Sequence, residues 1–348
     1  MIERFDLGAG YGISRIIKGG WQLSEGHGER VSPDPVEDMF AFARGGIDTF
    51  DCADIYTGVE ARIGEFVARN RADEHPLPVK VHTKYVPDLD DLPRLARGDV
   101  ERVIDRSLRR LRQERLDMVQ FHWWDTAVPG CVKAAGWLRE LQQAGKIDRL
   151  SLTNFNTQAT REILEAGIPL ATTQVQYSLL DTRPEKGLVA LCAARGMHLL
   201  CYGTLAGGFL SERWLGAADP LADAATLENR SLVKYRLMIE EIGGWALFQA
   251  LLEKLAEVGA RHGVSIASVA SRWVLEQPRV AAVIIGARDT RHLDRYAELF
   301  RFRLGDRDRR EIDALRGEMT VPPGDVFDLE RDRTGRHGRI MKYNLNAG

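Results

Sequence analysis

The chain has 348 residues, with 48 basic against 50 acidic side chains and a net charge of −2. That balance gives no bulk electrostatic case for binding nucleic acid or a membrane surface. Hydrophobic residues at 44% and charged residues at 28% fit an ordinary folded domain, and no stretch is apolar for long enough to span a bilayer.

Strand-like and helix-like runs alternate almost to the end. The first strand-like run, 14–20, leads into Gly19-Gly20-Trp21-Gln22. That lacks the G-x-G-x-x-G spacing of an open dinucleotide-binding sheet. A helix is predicted over 35–44, then a strand over 49–53 and a helix over 59–69. The third strand, 79–85, precedes a helix at 98–113. The fourth, 118–123, precedes 131–144. The fifth, 148–153, precedes 157–166. The sixth, 172–177, precedes 185–195. The seventh, 198–203, opens a divergent segment over 204–243, and a helix follows at 265–276. The eighth, 281–286, precedes a helix at 290–301. Thr157 and Thr290 are the predicted N-caps, and Gly145, Gly167 and Gly196 stand where helices end. Eight such units predict one closed (β/α)8 TIM barrel over 1–316, with a long loop at 204–243. Residues 317–348 read as a polar C-terminal tail packed on or near the barrel.

Cys52, Cys131, Cys192 and Cys201 lie in apolar stretches with neither metal-ligand nor redox spacing. They read as free thiols in a reducing compartment. With no apolar signal region after Met1, the expected location is cytoplasmic.

Period-2 alternation picks out the inward side chains. Lys80, His82 and Lys84 share one face of the third strand. Met118, Gln120 and His122 share one face of the fourth, and Asp51 lies on the inward face of the second. Asp51, Tyr56, Lys84 and His122 then gather at the carboxyl rim, where barrels of this kind place function. Singly, each has a structural explanation: a turn cap, a packed ring, an ion-pair partner, a core histidine. Four converging on one rim do not. A buried Lys84 needs an anion, and Asp51 is available. A neighbouring ammonium lowers the pKa of a phenol, so Tyr56 reads as a tuned general acid. His122 reads as a hydrogen-bond donor to a substrate oxygen. The set suits reduction of a carbonyl, with the hydride brought by a nicotinamide cofactor.

These residues fall in motifs: Phe50-Asp-Cys-Ala-Asp-Ile-Tyr56, His82-Thr-Lys84, Phe121-His122-Trp123, Ser151-Leu-Thr-Asn154-Phe155, Thr173-Gln174-Val-Gln-Tyr177 and Ala282-Val-Ile-Ile-Gly-Ala-Arg288. The ordered set resembles the aldo/keto reductases. The resemblance implies NAD(P)-dependent oxidoreduction by the tetrad Asp51, Tyr56, Lys84 and His122. It implies that Asn154, with Thr153 before it, and Gln174 hold the nicotinamide carboxamide, and that Tyr202 stacks on the ring. Gly203, Leu205 and Gly207 would follow the pyrophosphate. Gly286, Arg288 and His292 would receive the adenosine end. Trp21, Tyr85 and Trp123 would line the substrate pocket. Tyr296 departs from the pattern, standing where many members have an adenine-contacting Asn.

Arg288, with Arg291, His292 and Arg295 near a predicted helix start, favours NADPH over NADH, with NAD possible. The expected partner is a small-molecule carbonyl compound. Two other readings compete. A metal-dependent hydrolase on the same barrel would want His-x-His on strand one, where this chain has Ile17-Lys18-Gly19-Gly20. A cofactor-binding sensor subunit with little turnover could keep the same motifs.

Overall fold

The computed structural model describes residues 1–24, 32–220, 227, 230–287 and 289–346. A hairpin comes first, β1 (Arg4–Asp6) pairing antiparallel with β2 (Gly12–Ser14). Eight parallel strands then close a barrel: β3 (Ile16–Gly19), β4 (Thr49–Asp51), β5 (Lys80–Tyr85), β6 (Leu116–Phe121), β7 (Ile147–Thr153), β8 (Thr172–Gln176), β9 (His198–Tyr202) and β10 (Val280–Gly286). They neighbour one another in chain order, and β10 returns to pair with β3. This is the (β/α)8 barrel predicted from the alternation.

The pleat sorts the side chains into two cores. Inside the barrel, Ile17, Met118, Leu200 and Ala282 pack with Tyr11 and Ile13 of the hairpin. The hairpin therefore closes the amino-terminal mouth. Outside, Phe50 meets Phe66 of helix Val59–Arg71 with 5.1 Å between ring centres. With Phe50 facing the helices, Asp51 faces the axis.

Several expectations change. Helix 157–166 is capped by Asn156, whose side chain accepts from the Ala159 amide; Thr157 is the first helical residue. The helix predicted over 290–301 is a single turn, Leu293–Tyr296, followed by a 3-10 turn at Ala297–Phe300. Thr290 caps neither. The hairpin and the helices Trp245–His262 and Asp306–Arg316 were not predicted. Within 204–243, helix Arg230–Glu241 packs on the turn after β9. There Gly203 and Gly207 have φ of 72° and 67°, and a Cβ on either would strike Tyr235. Only glycine fits both the dihedral and the space.

The chain beyond residue 316 crosses back over the carboxyl mouth. Its hub is Glu330. The buried Arg183 guanidinium donates to Glu330 at 3.0 Å and to Asp181 at 2.7 Å. Lys234 approaches Glu330 at 3.3 Å. Farther on, the amides of Leu345 and Asn346 bond Asp88 at 2.8 and 3.0 Å. Burial alone would raise the Glu330 carboxyl, but Arg183 and Lys234 outweigh it and hold it well below the usual range. Its stabilising contribution is thus present above its ordinary value of 4.5 and is lost as pH falls below it. Glu330→Gln leaves buried cations short of an anion, and its cost should be roughly 3 kcal/mol. Chemical denaturation at pH 7 and pH 4 checks this. The gap between wild type and variant should narrow at the lower pH, and an equal gap at both would refute it.

Candidate active site

A cavity of about 630 Å³ opens at the carboxyl mouth of the barrel. Asp51, the last residue of β4, is its buried polar floor. Its Oδ2 accepts from Lys84 Nζ at 2.6 Å, and its Oδ1 accepts from Gln120 and Gln174 at 2.7 and 2.6 Å. Lys84 also donates to the Cys52 carbonyl at 2.8 Å. Both partners are nearly solvent-free, at 6% side-chain exposure each, so the pair attracts strongly and cannot lose one member cheaply. Burial lowers the Lys84 pKa, but Asp51 and Tyr56 raise it further, and the ammonium is retained.

Tyr56 lies in the turn after β4, with Lys84 Nζ 5.1 Å from its ring centre. Trp21 packs against it at 4.9 Å. Here the balance differs from the sequence expectation. Burial raises the phenol pKa, and Lys84 opposes this without overcoming it. Tyr56 is a protonated phenol throughout the neutral range, held beside a cation ready to stabilise its conjugate base.

His122 follows β6 and is buried. Its Nδ1 lies 3.0 Å from the Thr153 carbonyl. A carbonyl only accepts, so Nδ1 carries the proton. Burial first, and then the charge of Arg331, pull its pKa down to about 3. The ring is therefore neutral, and Nε2, which has no hydrogen-bond partner among the described residues, is an acceptor. This corrects the expectation that His122 donates to a substrate oxygen. Trp124 and Phe327 stand edge-on to the ring at 4.3 and 5.6 Å.

Of the other predicted site residues, Trp21, Thr153, Asn154, Gln174, Tyr202, Gly203, Leu205, Gly207, Gly286 and His292 all line the cavity. Tyr202 donates to Asn154 Oδ1 at 2.8 Å. Arg288 lies outside the described residues. Tyr85 and Trp123 are not cavity residues. Tyr85 stacks on Phe121 beneath the helices, and Trp123 is fully buried with its indole N–H on the Val128 carbonyl. Strand parity explains both, since each shares the outward face with Phe121 or Val81. Their neighbours Val86 and Trp124 line the cavity instead. Sequence reasoning also missed Gln120, although it lies between Met118 and His122 on the inward face. Phe327, Ile340 and Met341 of the tail complete the wall, and no periodic signal marked them.

A nicotinamide dinucleotide suits these residues. The cavity, about 630 Å³, is partly walled by Gly203, Gly207 and Gly208, which present backbone alone. It also presents orphaned buried polar atoms, Gln22 Oε1 and His122 Nε2 among them. Among the described residues, no three His, Cys, Asp or Glu side chains are grouped to hold a metal. No described helix is long and apolar enough to cross a membrane.

The model of the Aldo/keto reductase family matches residues 15–316. Aldo-keto reductase YhdN of Bacillus subtilis is 27% identical over 234 residues, which span 66% of this chain and 67% of that protein. Flagellar radial spoke protein 5 of Chlamydomonas reinhardtii is 27% identical over 260 residues, but only 49% of its length is covered. Among solved structures, the glycerol dehydrogenase AKR11B4 from Gluconobacter oxydans superposes with a TM-score of 0.74 at 25% identity, covering 93% of this chain and 97% of that one. The holo form of AKR11C1 from Bacillus halodurans has a TM-score of 0.72 at 20% identity, a likeness of fold alone, over 95% of this chain and 100% of that one. With the family's model spanning the whole barrel, the chain belongs to the aldo/keto reductase family and is an NAD(P)-dependent oxidoreductase.

Proposed function

We propose that this enzyme reduces an aldehyde or ketone, or oxidises the matching alcohol, with NADPH as the preferred cofactor and Tyr56 as the general acid and base. The observation that carries this reading is the buried Asp51–Lys84 pair, 2.6 Å apart, set beneath the Tyr56 ring. The bound nicotinamide supplies or takes the hydride. Tyr56 gives its proton to the carbonyl oxygen, and Lys84 stabilises the phenolate left behind. Asp51 fixes Lys84, while Gln120 and Gln174 fix Asp51. His122 Nε2 is suited to accept from a second substrate hydroxyl beside the reacting carbon, since the proton on the reacting oxygen is the one that Tyr56 gives or takes. Tyr56 is then the donor to the carbonyl oxygen itself.

The hydrogen bonds already made support one pattern of carboxamide contacts. Asn154 spends Oδ1 on Tyr202, leaving its Nδ2 hydrogens for the carboxamide oxygen. Gln174 spends Nε2 on Asp51 and Gln120, leaving Oε1 for the carboxamide nitrogen. Tyr202 presents its ring as the stacking surface. Trp21, Ile55, Val86, Trp124 and Phe327 give the substrate end an apolar wall.

The NADPH preference rests on Arg288. Arg291 is committed to Asp289, Nε to Oδ2 at 2.9 Å, so it competes less for a phosphate. The same pair occupies the carboxylate that a ribose diol would need. Losing a charge-assisted contact to a 2′-phosphate costs on the order of 1.5–3 kcal/mol. Arg288→Ala should weaken NADPH binding about tenfold or more and leave NADH nearly unchanged. Fluorescence titration of both cofactors measures this, and an aldehyde and sugar panel followed by nicotinamide absorbance tests the activity. Equal losses for the two cofactors would overturn the preference. Absence of turnover across the panel, with cofactor bound, would favour a sensor over an enzyme of this specificity.

A further inference from the structure

We propose that Arg331, on the C-terminal tail, is a positioning residue for His122: its guanidinium grips the carbonyls of Trp123 and Asn154 and so sets the His122–Thr153 hydrogen bond. The inference rests on the reading of His122 as a reaction-site group given above.

The geometry is specific. The ladder between β6 and β7 ends at Phe121 and Leu152. His122 and Thr153 lie just beyond that last pair: the His122 amide is held by the Tyr85 carbonyl at 2.9 Å and Thr153 by its register with Gln174, each on its far side, and the β6–β7 ladder itself does not reach them. The residues that follow them, Trp123 and Asn154, both give their carbonyls to Arg331 Nη2, at 3.3 and 2.5 Å. One rigid group therefore ties together the two chain ends that carry the His122–Thr153 bond. Asn154 turns the chain there with a φ of 62°, a left-handed conformation that asparagine adopts more readily than other non-glycine residues, and this turn aims its carbonyl at Arg331. The same tail turn covers the ring, with Phe327 under the Arg331 guanidinium at 5.3 Å and edge-on to His122.

Arginine suits this task because the guanidinium plane fixes the Nη2 group that serves both carbonyls, while Nη1 anchors the plane on the Val326 carbonyl of the tail at 3.3 Å; a lysine ammonium is a rotating point charge without that second anchor. The cation has a second effect. Together with Lys84 it opposes protonation of the ring, while Asp328, Glu330 and Asp125 only partly offset the burial of Arg331 itself. The guanidinium thus favours the neutral ring, and the Thr153 carbonyl selects its Nδ1–H form.

A plain structural role, anchoring the tail, makes a different prediction. The tail has anchors of its own at Arg183–Glu330 and at Asp88. Glu330→Gln loosens the tail without touching the Trp123 and Asn154 carbonyls, so it serves as the control. The experiment compares Arg331→Met, Arg331→Lys and Glu330→Gln by steady-state kinetics and by ¹⁵N NMR of the histidine rings. Arg331→Met should lower kcat about tenfold or more, since small displacements at a reacting centre are costly. It should also replace the single Nδ1–H signal pattern of His122 with a mixture of tautomers. Arg331→Lys should keep the melting temperature near wild type and lose kcat to a lesser extent. Glu330→Gln should lower the melting temperature and leave the tautomer pattern intact. If Arg331→Met does not fold, Arg331→Lys decides: a wild-type kcat and tautomer there overturn the proposal. An equal loss of kcat in Glu330→Gln overturns it as well. The tautomer readout does not need turnover, so it tests Arg331 even if His122→Ala proves fully active and the functional reading fails.

Discussion

Tyr56→Phe should lower kcat by about 10²-fold or more while leaving cofactor affinity close to wild type. The ring that packs on Trp21 at 4.9 Å is kept, so the cavity keeps its shape. Only the hydroxyl is lost, and with it the proposed donor to the substrate oxygen. His122 cannot take over, because its proton is on the Thr153 side of the ring. Stopped-flow or steady-state reduction of an aldehyde, beside a cofactor titration, measures both quantities. Undiminished turnover would remove Tyr56 from the mechanism. The pH dependence gives a second check. Burial raises this phenol above its ordinary value of 10.0 despite Lys84, so it stays protonated through neutral pH. Reduction should hold level across that range and decline only above about pH 10. Alcohol oxidation, which needs the phenolate, should run the other way and quicken as pH rises.

The barrel and most of its rim were legible because they depend on local periodicity. Alternation along Lys80–Tyr85 and Leu116–Phe121 decided which side chains face the axis, and the strands formed with that parity. The same parity argued against Tyr85 and Trp123 as pocket residues, and the family pattern misdirected both. Helix Trp245–His262 carries an apolar stripe at Leu251, Leu252, Leu255 and Val258, but it follows a divergent segment that hid its start. Other features depend on distance rather than order. Arg331 meets a carbonyl 177 residues away, and nothing in the tail's composition signals that. The tautomer of His122 required the Thr153 carbonyl, and the raised phenol of Tyr56 required the depth of its burial. Sequence named Lys84 as its neighbour but could not weigh that cation against desolvation.

Lys84→Met should cost both activity and stability. Methionine matches the lysine stem in length but brings no charge. Asp51 would then sit buried with the amides of Gln120 and Gln174 as its side-chain donors among the described residues. Removing one partner of such a pair destabilises by roughly 3–5 kcal/mol, which denaturant unfolding at pH 7 would register. The sign with pH follows from the direction of the shift. The Lys84 pKa is raised above its ordinary 10.5 by its partners. Its contribution is therefore fully present below that value and is lost as pH climbs past it. Activity should fall at least about 10²-fold, because the phenolate formed at Tyr56 loses its stabilising cation. The double variant Asp51→Asn/Lys84→Met separates the two effects. It removes the stranded anion, so stability should recover part of the loss seen in Lys84→Met. Activity should not recover, because the cation beside Tyr56 is still missing. Recovery of both together would show that Lys84 serves the fold and leaves the phenol untuned.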